Sequence, residues 1–440
     1  MLKKIYHFLD KRLHLTSLVR NALDEPIPGG ASWIYVFGSV VLFLFGLQLI
    51  TGMFLVLYYV PTPDHAYDSI NFVETEVAFG WFIRGIHHWG ASCMMVAIGL
   101  HMLQTFLYGA YRPPREVLWN VGVFLFLLVL TFAFTGYLLP WDQKAYWATS
   151  VGINMVGTIP FIGGYLVRIL RGGEDVGALT LSRFFAVHIL FLPLFTVVLI
   201  ALHLFILRRV GPAGPWDKER GQAIKEPFFP RQVFMDAVIM FVTFGIVVAM
   251  AVWLPFPLSD KANPSDTSFV PVPEWYFLFY YQLLKYFDGP LQPIATIVLP
   301  LLFYGLLFLL PYLERGKERN PGRRPTVIVT GAVFLILVFF LLGISIGQIS
   351  AVAVKDPSAA AGKDIYQRLQ CSGCHRIHGT GGAVGPDLSF VGDVRDADWL
   401  TRHFKDPQAV VPGSIMPKFN LSDKELRDLT AYMLSLKKSS

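Results

Sequence analysis

The chain has 440 residues, of which 54% are hydrophobic and 15% are charged. This composition is too apolar for a soluble protein of that length and indicates a membrane protein. The net charge of +6 does not indicate nucleic-acid binding, because the basic residues cluster beside apolar segments and leave no soluble basic domain to hold a duplex.

The N-terminal segment is amphipathic and basic, but it lacks the apolar stretch and small-residue cleavage site of a signal peptide. We therefore expect no signal peptide to be removed and the N-terminus to stay on the side of synthesis. Seven apolar runs follow, each long enough to cross a hydrocarbon core, which takes about 20 residues. They lie near residues 32–59, 78–109, 117–139, 180–208, 233–256, 290–312 and 326–349.

Basic residues predict the orientation of these runs. Lysine and arginine concentrate at the N-terminus and in the loops after the second, fourth and sixth runs. This bias favours the cytoplasmic side, called the n side here. The loop at 60–77 has acidic residues and no lysine or arginine, as expected on the opposite p side. We predict a multi-pass protein of the inner (cytoplasmic) membrane whose C-terminal domain lies on the periplasmic, outer side.

Two long segments between runs are predicted to lie on the p-side surface. Residues 140–179 and 257–289 contain glycine and proline among apolar stretches too short to span, a pattern typical of surface helices. After the seventh run, residues 350–362 are predicted to form a linker, and a dozen flexible residues reach roughly 20 Å. The last helix of the charged C-terminal segment is predicted to begin with a capping box at Ser422 and Glu425.

Two of the apolar runs each carry a pair of histidines. His87 and His101 are 14 residues apart in the second, and His188 and His203 are 15 apart in the fourth. Both spacings are close to four helical turns, so the members of a pair face the same way, about 21 to 22 Å apart. Because both runs cross in the same direction, His87 is predicted to lie level with His188, and His101 with His203.

Histidines inside a bilayer are functional candidates by default, and a pair can supply both axial ligands of a haem. We predict two b-type haems, one near each membrane face. Hydrogen bonding between helices is the ordinary alternative, but it does not explain four histidines in register. Zinc fits less well, since two histidines at each level fill half of its tetrahedral shell. His88, rotated roughly 100° from His87, is interpreted as structural.

A haem between helices requires slim backbones beside it. The first and third runs contain glycines at two heights, with one 14-residue separation in each run: Gly38, Gly52, Gly122 and Gly136. We interpret these as clearance for the macrocycles rather than as ordinary helix packing. Arg84 and Arg183 precede the p-side histidines, and they could pair with haem propionates or with lipid phosphates.

Three segments resemble cytochrome b of the cytochrome bc family. They are Arg84 to His101, the sequence Gly-Tyr-Leu-Leu-Pro-Trp-Asp-Gln at 136–143, and Pro-Glu-Trp-Tyr at 273–276. The resemblance covers roughly residues 1–350. The chain resembles the plastid-type arrangement in three features: the seven runs, the Trp-Asp-Gln sequence and the 15-residue histidine spacing. In that arrangement cytochrome b and subunit IV are separate chains, whereas here they are joined.

One departure from the plastid type has a consequence for cofactors. Those proteins carry a cysteine in the first span that covalently holds an extra n-side haem, and Val36 stands at that place. We therefore expect no covalent haem in the membrane part. Cys93, well away from that position, is interpreted as a small buried hydrophobe.

The resemblance implies a quinol site on the p side. Burial among aromatic side chains disfavours the charged form of a carboxylate, and by resemblance Glu274 would take a proton from quinol. Tyr276 and Tyr137 would shape the pocket. An interfacial aromatic belt, in which Glu274 merely meets water, is the structural alternative. For the n-side quinone site the sequence indicates no particular residue.

The run Cys371-Ser-Gly-Cys374-His375 is a c-type haem attachment motif, in which two thiols bind the vinyl groups and the imidazole binds iron. A thioredoxin-like pair would need a neighbouring βαβ pattern, and a zinc ribbon would need a second Cys-x-x-Cys; the sequence has neither. Met416 is predicted as the sixth ligand, and Met433 as a core residue. Covalent attachment outside the cytoplasm agrees with a p-side C-terminus.

These observations predict an all-α protein, with a seven-span bundle holding two haems between spans two and four and a small all-α cytochrome c domain. The predicted divisions are a four-helix dihaem domain at 1–210, a subunit IV-like three-helix domain at 211–349, the linker at 350–362 and the cytochrome c domain at 363–440.

The resemblance implies the cytochrome b subunit of a proton-translocating quinol:cytochrome c oxidoreductase. Electrons from quinol would pass to a Rieske-type iron-sulfur protein and an acceptor cytochrome, and through two non-covalent b haems to n-side quinone. The implied partners are that iron-sulfur protein, quinol and quinone, a soluble or membrane cytochrome c, membrane lipid and a second copy of the complex. Two alternatives are a dihaem anchor relaying electrons between quinone and a dehydrogenase, and a non-enzymatic membrane tether for a cytochrome.

Overall fold

Helices make up nearly all the regular structure of the computed structural model, which describes residues 2–216, 224–265, 269, 272–287, 289–354 and 357–437. Within these residues the strands are four short pieces. Pro26–Pro28 pairs antiparallel with Lys225–Pro227, and Arg376–Ile377 pairs antiparallel with Thr380–Gly381. The all-α prediction is confirmed.

Seven helical segments of the described chain are long and apolar enough to cross a membrane, and they are called spans one to seven below. The chain is therefore a multi-pass membrane protein, as predicted. The spans are Trp33–Val56, Gly80–Leu107, Glu116–Tyr137, Ala178–Val210, Arg231–Trp253, Gly289–Leu313 and Pro325–Gln348. Large apolar side chains cover their outer faces, such as that of Phe241, which is 78% exposed, as expected of surfaces that contact lipid.

Shorter helices connect the spans. Leu2–Leu13 and Leu15–Leu23 precede span one, and Ala66–Thr75 lies before span two. The surface helices predicted within 140–179 are present as Gln143–Gly157 and Gly163–Arg171. The loop predicted at 257–289 contains the helix Trp275–Leu284, although residues 266–268, 270, 271 and 288 lie outside the described residues.

Two of the spans contain a turn of π-helix. Span four consists of Ala178–Ala186, the π turn Val187–Phe191 and Leu192–Val210. Span six contains the π turn Ile294–Val298 followed by Leu299–Leu313. In both, a Leu-Pro pair follows the π turn directly. Proline cannot donate the ordinary helical hydrogen bond and its ring crowds the preceding turn, so a local widening accommodates it.

The two histidine-bearing helices, spans two and four, pack mainly against other spans. Span two packs on spans one and five, and span three packs on spans four and six. Spans two and four form no extensive contact with each other in the described structure. The core around span two contains Leu44, Ile86, Met94 and Val247, and its burial fixes the faces that the first, second and fifth spans turn inward.

A buried polar network joins the loop after span two to the loop after span six. Glu314 accepts hydrogen bonds from Tyr111 at 2.7 Å and from Arg112 Nε at 2.5 Å. Arg324 Nη2 lies 3.2 Å from the same carboxylate and donates to the Tyr111 hydroxyl at 3.0 Å. Burial raises the pKa of Tyr111 to about 12. The two guanidinium groups thus share one carboxylate inside the protein, which ties the two loops together.

The described chain forms two compact units, residues 1–263 with 269–341 and residues 264–268 with 342–440. The predicted linker at 350–362 is largely helical instead, because the helix Pro325–Val354 runs past span seven and the next helix is Pro357–Arg368. Residues 355 and 356 lie outside the described residues. The alanines in this segment favour helix over coil, a preference that the sequence analysis did not take into account. The boundaries of the predicted domains stay predictions.

The C-terminal helices surround one apolar core. They are Pro357–Arg368, Val391–Val394, Ala397–Lys405, Pro407–Val410 and Asp423–Ser435. The capping box is confirmed: Glu425 N donates to Ser422 Oγ at 3.3 Å, and Ser422 N donates to the Glu425 carboxylate at 2.9 Å. Met433 is 1% exposed, as expected of a core residue.

Candidate haem and quinol sites

His87 and His188 each have a hydrogen-bond partner on a neighbouring span. Thr51 Oγ1 lies 2.9 Å from His87 Nδ1, and Thr135 Oγ1 lies 3.1 Å from His188 Nδ1. His87 and His188 are close enough to interact electrostatically. Because Nδ1 is engaged in each ring, Nε2 is the nitrogen left for a metal, and the hydroxyls orient the rings as outer-shell partners do.

His101 and His203 form a corresponding pair without threonine partners. His101 and His203 interact electrostatically, and the His101 Nδ1 atom is buried with no hydrogen-bond partner among the described residues. The structure therefore brings the four rings together in the two pairs that the sequence spacing predicts. The two members of each pair come from spans two and four, which do not pack extensively on each other.

Each predicted glycine contacts one of the four rings. A Cβ atom built on Gly52 would lie 3.3 Å from His87 Cε1, and one on Gly136 would lie 2.6 Å from His188 Cε1. The other two contacts are Gly38 with His101 and Gly122 with His203, at 3.4 Å in both cases. The residues present thus fit two bis-histidine haems, because each ring lies against bare glycine backbone, where a side chain would crowd it.

An added Cβ atom would lie 2.6 Å from the His188 ring at Gly136 but 3.4 Å from the His203 ring at Gly122, and this difference gives a test of the arrangement. Gly136→Ala places a methyl group against His188, and we expect the strain of an overpacked site, about 1–3 kcal/mol, to lower the temperature at which b haem is lost on heating. Gly122→Ala is the matched control, since its methyl group meets His203 at close to an ordinary contact distance. Loss of haem absorbance at the same temperature in both variants would contradict the prediction.

The π turn in span four explains the unequal histidine spacings. His188 lies within Val187–Phe191, and a π turn takes about one residue more than an α turn. The 15 residues between His188 and His203 therefore cover the same number of turns as the 14 between His87 and His101. The sequence analysis treated the two spacings as equivalent but gave no reason for the extra residue. The Leu-Pro pair at 192–193 was the available signal for the π turn.

Thr51 and Thr135 were missed by the sequence analysis. Each directly precedes a p-side glycine, so a Thr-Gly pair occurs in both spans one and three. The n-side glycines, Gly38 and Gly122, have no such neighbour. The repeated dipeptide was therefore a usable signal for residues that orient the p-side rings.

The two predicted arginines have protein partners in this structure. Arg84 forms an ion pair with Glu74 and donates to the Phe256 carbonyl oxygen at 2.8 Å. Arg183 donates to the Ile169 carbonyl oxygen. Their predicted contacts with propionates or lipid stay predictions.

The predicted quinol residues gather around one carboxylate. The Glu274 side chain is 11% exposed, and its Oε1 atom lies 3.5 Å from Lys144 Nζ. Tyr137 and Tyr276 are both close enough for the charge of Glu274 to act on their hydroxyls. Burial, together with that charge, raises the pKa of the Tyr276 hydroxyl. Tyr276 is thus a neutral hydrogen-bond donor at physiological pH.

Two polar atoms at this site are buried without hydrogen-bond partners in the described structure, Glu274 Oε1 and the Tyr137 hydroxyl. Buried polar groups are nearly always paired, so unpaired ones that converge suit a ligand with hydroxyl groups.

His88 and Cys93, which the sequence analysis interpreted as structural, have contacts of other kinds. His88 stacks on Phe256 with ring centroids 3.7 Å apart, and Cys93 packs against the apolar core.

The attachment motif lies in the C-terminal unit. Cys371–Gly373 forms a short 3-10 turn, and Cys371 and Cys374 are free thiols. His375 Nδ1 lies 2.9 Å from the Pro386 carbonyl oxygen, which leaves Nε2 for iron. Cys371 and Met416 both pack against the apolar core of this unit. These residues fit a covalent haem with His375 as one ligand.

Paired intramembrane histidines and an extramembrane Cys-x-x-Cys-His motif define a membrane cytochrome. The family model for cytochrome b/b6/petB matches residues 22–211, that for cytochrome b(C-terminal)/b6/petD matches 261–361, and that for cytochrome c matches 359–437. The cytochrome bc complex cytochrome b subunit of Chlorobaculum thiosulfatiphilum is 37% identical over 339 residues, covering 76% of this chain and 78% of that protein.

Two further comparisons agree. The menaquinol:cytochrome c reductase cytochrome b subunit of Geobacillus thermodenitrificans is 44% identical over 223 residues, covering 49% of this chain and 100% of that protein. A solved structure described as a hyperthermophilic respiratory complex III superimposes with a TM-score of 0.70 at 30% identity, covering 77% of this chain and 90% of that one. The chain belongs to the cytochrome b family of cytochrome bc complexes, joined to a C-terminal cytochrome c domain.

Proposed function

We propose that the chain is the cytochrome b subunit of a proton-translocating quinol:cytochrome c oxidoreductase, with two non-covalent b haems and one covalent c haem. The observation that carries this proposal is the arrangement of four histidine rings in two level pairs, each ring against a glycine. Two relatives named menaquinol:cytochrome c reductase subunits support the reaction class.

The chain would hold its cofactors through the residues already described. His87 with His188, and His101 with His203, would bind the b haems through Nε2, while Cys371, Cys374, His375 and Met416 would bind the c haem. When bound, the haems supply one-electron transfer. Because Val36 replaces the plastid-type cysteine, the membrane part would hold no covalent haem.

At the p-side site, the chain would bind quinol and remove a proton from it. The Glu274 carboxylate would accept the proton of a quinol hydroxyl, and the Tyr137 and Tyr276 hydroxyls would orient the ring. A separate Rieske-type iron-sulfur protein would take one electron, with the fused domain or another cytochrome c as the next acceptor. Release of protons on the p side and uptake on the n side would couple the reaction to proton translocation.

The proposed orientation follows from charge and from the attachment motif. The N-terminus and the basic loops would lie on the cytoplasmic side, and the cytochrome c domain on the outer side. Each complex would contain two copies of this chain, surrounded by lipid, as expected from the family.

A pyridine haemochrome spectrum of the purified chain, before and after acid-acetone extraction, tests the proposed cofactor set. We expect two extractable b haems and one retained c haem. No extractable haem would favour the membrane-tether alternative, and a second retained haem would contradict the reading of Val36. Turnover that resists a p-side quinol-site inhibitor would favour the dihaem anchor instead.

A further inference from the structure

A lysine beside the quinol site has no assigned role. Lys144 is the second residue of the helix Gln143–Gly157, and its Nζ atom lies 3.5 Å from Glu274 Oε1. The Lys144 side chain is 33% exposed and that of Glu274 is 11% exposed. Within the described residues Lys144 is the one ion-pair partner of Glu274. The ammonium group therefore lies between a buried carboxylate and water.

An aromatic ring supports the lysine in this position. Lys144 Nζ lies 5.0 Å from the centroid of Phe256, within the range of a cation–π interaction. His88 of span two stacks on the same ring, and Arg84 of span two donates to the Phe256 carbonyl oxygen. Because contacts with span two hold Phe256 at both its ring and its backbone, the ring is a fixed surface for the lysine.

The ion pair has the geometry of a charge contact rather than of a hydrogen bond. A charge-assisted hydrogen bond between nitrogen and oxygen is about 2.7–2.9 Å long, which is shorter than the separation found here. Glu274 also precedes the helix Trp275–Leu284 but does not use its side chain to cap it. Its carboxylate is thus electrostatically held by Lys144 while Oε1 stays free to accept a hydrogen bond.

We propose that Lys144 is a positioning residue for quinol oxidation, which holds the Glu274 carboxylate toward the site until quinol binds. This inference rests on the proposed quinol-oxidising function. Removing one partner of a buried ion pair leaves an uncompensated charge. Without the Lys144 ammonium, the Glu274 carboxylate would therefore no longer be held where it can accept the proton of quinol.

The proton follows a balanced route in this scheme. It leaves a quinol hydroxyl and binds a Glu274 carboxylate oxygen, while one electron passes to the iron-sulfur partner of the proposed complex. The proton then leaves Glu274 for p-side water. The other ionisable groups facing Glu274 are the phenols of Tyr137 and Tyr276.

Steady-state turnover of the purified complex with a quinol substrate tests this role in four variants. These are Lys144→Met, Lys144→Arg, Glu274→Gln and the double variant with Lys144→Met and Glu274→Gln. We expect Lys144→Met to lower kcat about tenfold, because a carboxylate that is no longer held in position meets the substrate less often in a productive geometry. Lys144→Arg keeps the charge and should restore most of the turnover.

The double variant separates a role through Glu274 from any other role. If Lys144 acts through the carboxylate, Lys144→Met has no further effect once Glu274 is glutamine. Lys261→Met is the matched control, because Lys261 is the p-side lysine that pairs with Asp68, at 2.9 Å, and it should leave turnover unchanged. Unaltered b-haem spectra would show that the variants fold.

Two results would overturn the inference. One is wild-type turnover in Lys144→Met while Glu274→Gln is impaired, which would leave the proposed function of Glu274 intact. The other is the same fold loss from Lys144→Met in both backgrounds, or no restoration by arginine. Wild-type turnover in Glu274→Gln would instead overturn the proposed role of the carboxylate, and the inference with it.

Discussion

His188→Leu is expected to remove one of the two b haems and to abolish quinol oxidation. Leucine fills similar space but offers no nitrogen to iron, and the contact between the Thr135 hydroxyl and the ring is lost. Changing a group that merely supports a metal ligand costs 10–100-fold in metal affinity or activity, so loss of the ligand itself should cost more than about 100-fold. The dithionite-minus-ferricyanide spectrum should show about half of the b-haem absorbance, since each histidine pair binds one haem.

His88→Phe is the matched control for that variant. The side chain is also a histidine of span two, but it stacks on Phe256 rather than facing a glycine of span one. A phenylalanine can keep the stacking contact, and both b haems should remain. Full b-haem absorbance in His188→Leu, or a half loss in His88→Phe, would show that the ligands are assigned to the wrong histidines.

Replacing both Cys371 and Cys374 by serine is expected to eliminate covalent haem completely while leaving the b haems in place. Thioether bonds need sulfur, and the remaining His375 would have to hold a haem without any covalent link. The measurement is haem staining of the denatured chain on a gel, together with the ascorbate-reducible c-type absorbance of the native complex.

Cys93→Ser is the control for the double cysteine variant, because Cys93 packs in the core of the membrane unit and carries no attachment motif. Its haem stain should equal that of the wild type. A haem-stained band from the double cysteine variant would mean that another residue forms the covalent bond, and the membrane part would then have to be searched for it.

The long-range features of the fold were predictable because they depend on simple periodicities. Seven apolar runs of sufficient length predicted seven spans. The 3.6-residue repeat of the α-helix predicted that His87 lies level with His188. The heights of Gly38 and Gly52 followed in the same way. The individual glycine-to-histidine contacts were not predictable, because sequence spacing fixes the height of a residue along the helix but not which neighbouring helix it faces.

Features that depend on contacts between distant segments were missed. The pairing of Lys144 with Glu274 joins residues 130 positions apart, and no local pattern connects them. The network around Glu314 likewise joins loops separated by about 200 residues. The helical residues within 350–362 were also missed, since small residues are compatible with both coil and helix.

The network of Tyr111, Arg112, Glu314 and Arg324 joins two parts of the chain that match separate family models. The relative from Geobacillus thermodenitrificans matches over 223 residues, which is 49% of this chain but 100% of that protein. Where such parts are separate polypeptides, they must meet by diffusion at their cellular concentrations. A covalent connection raises the effective concentration of one part near the other to about the millimolar range, so assembly here needs no matching of two expression levels, and every first half has its own second half.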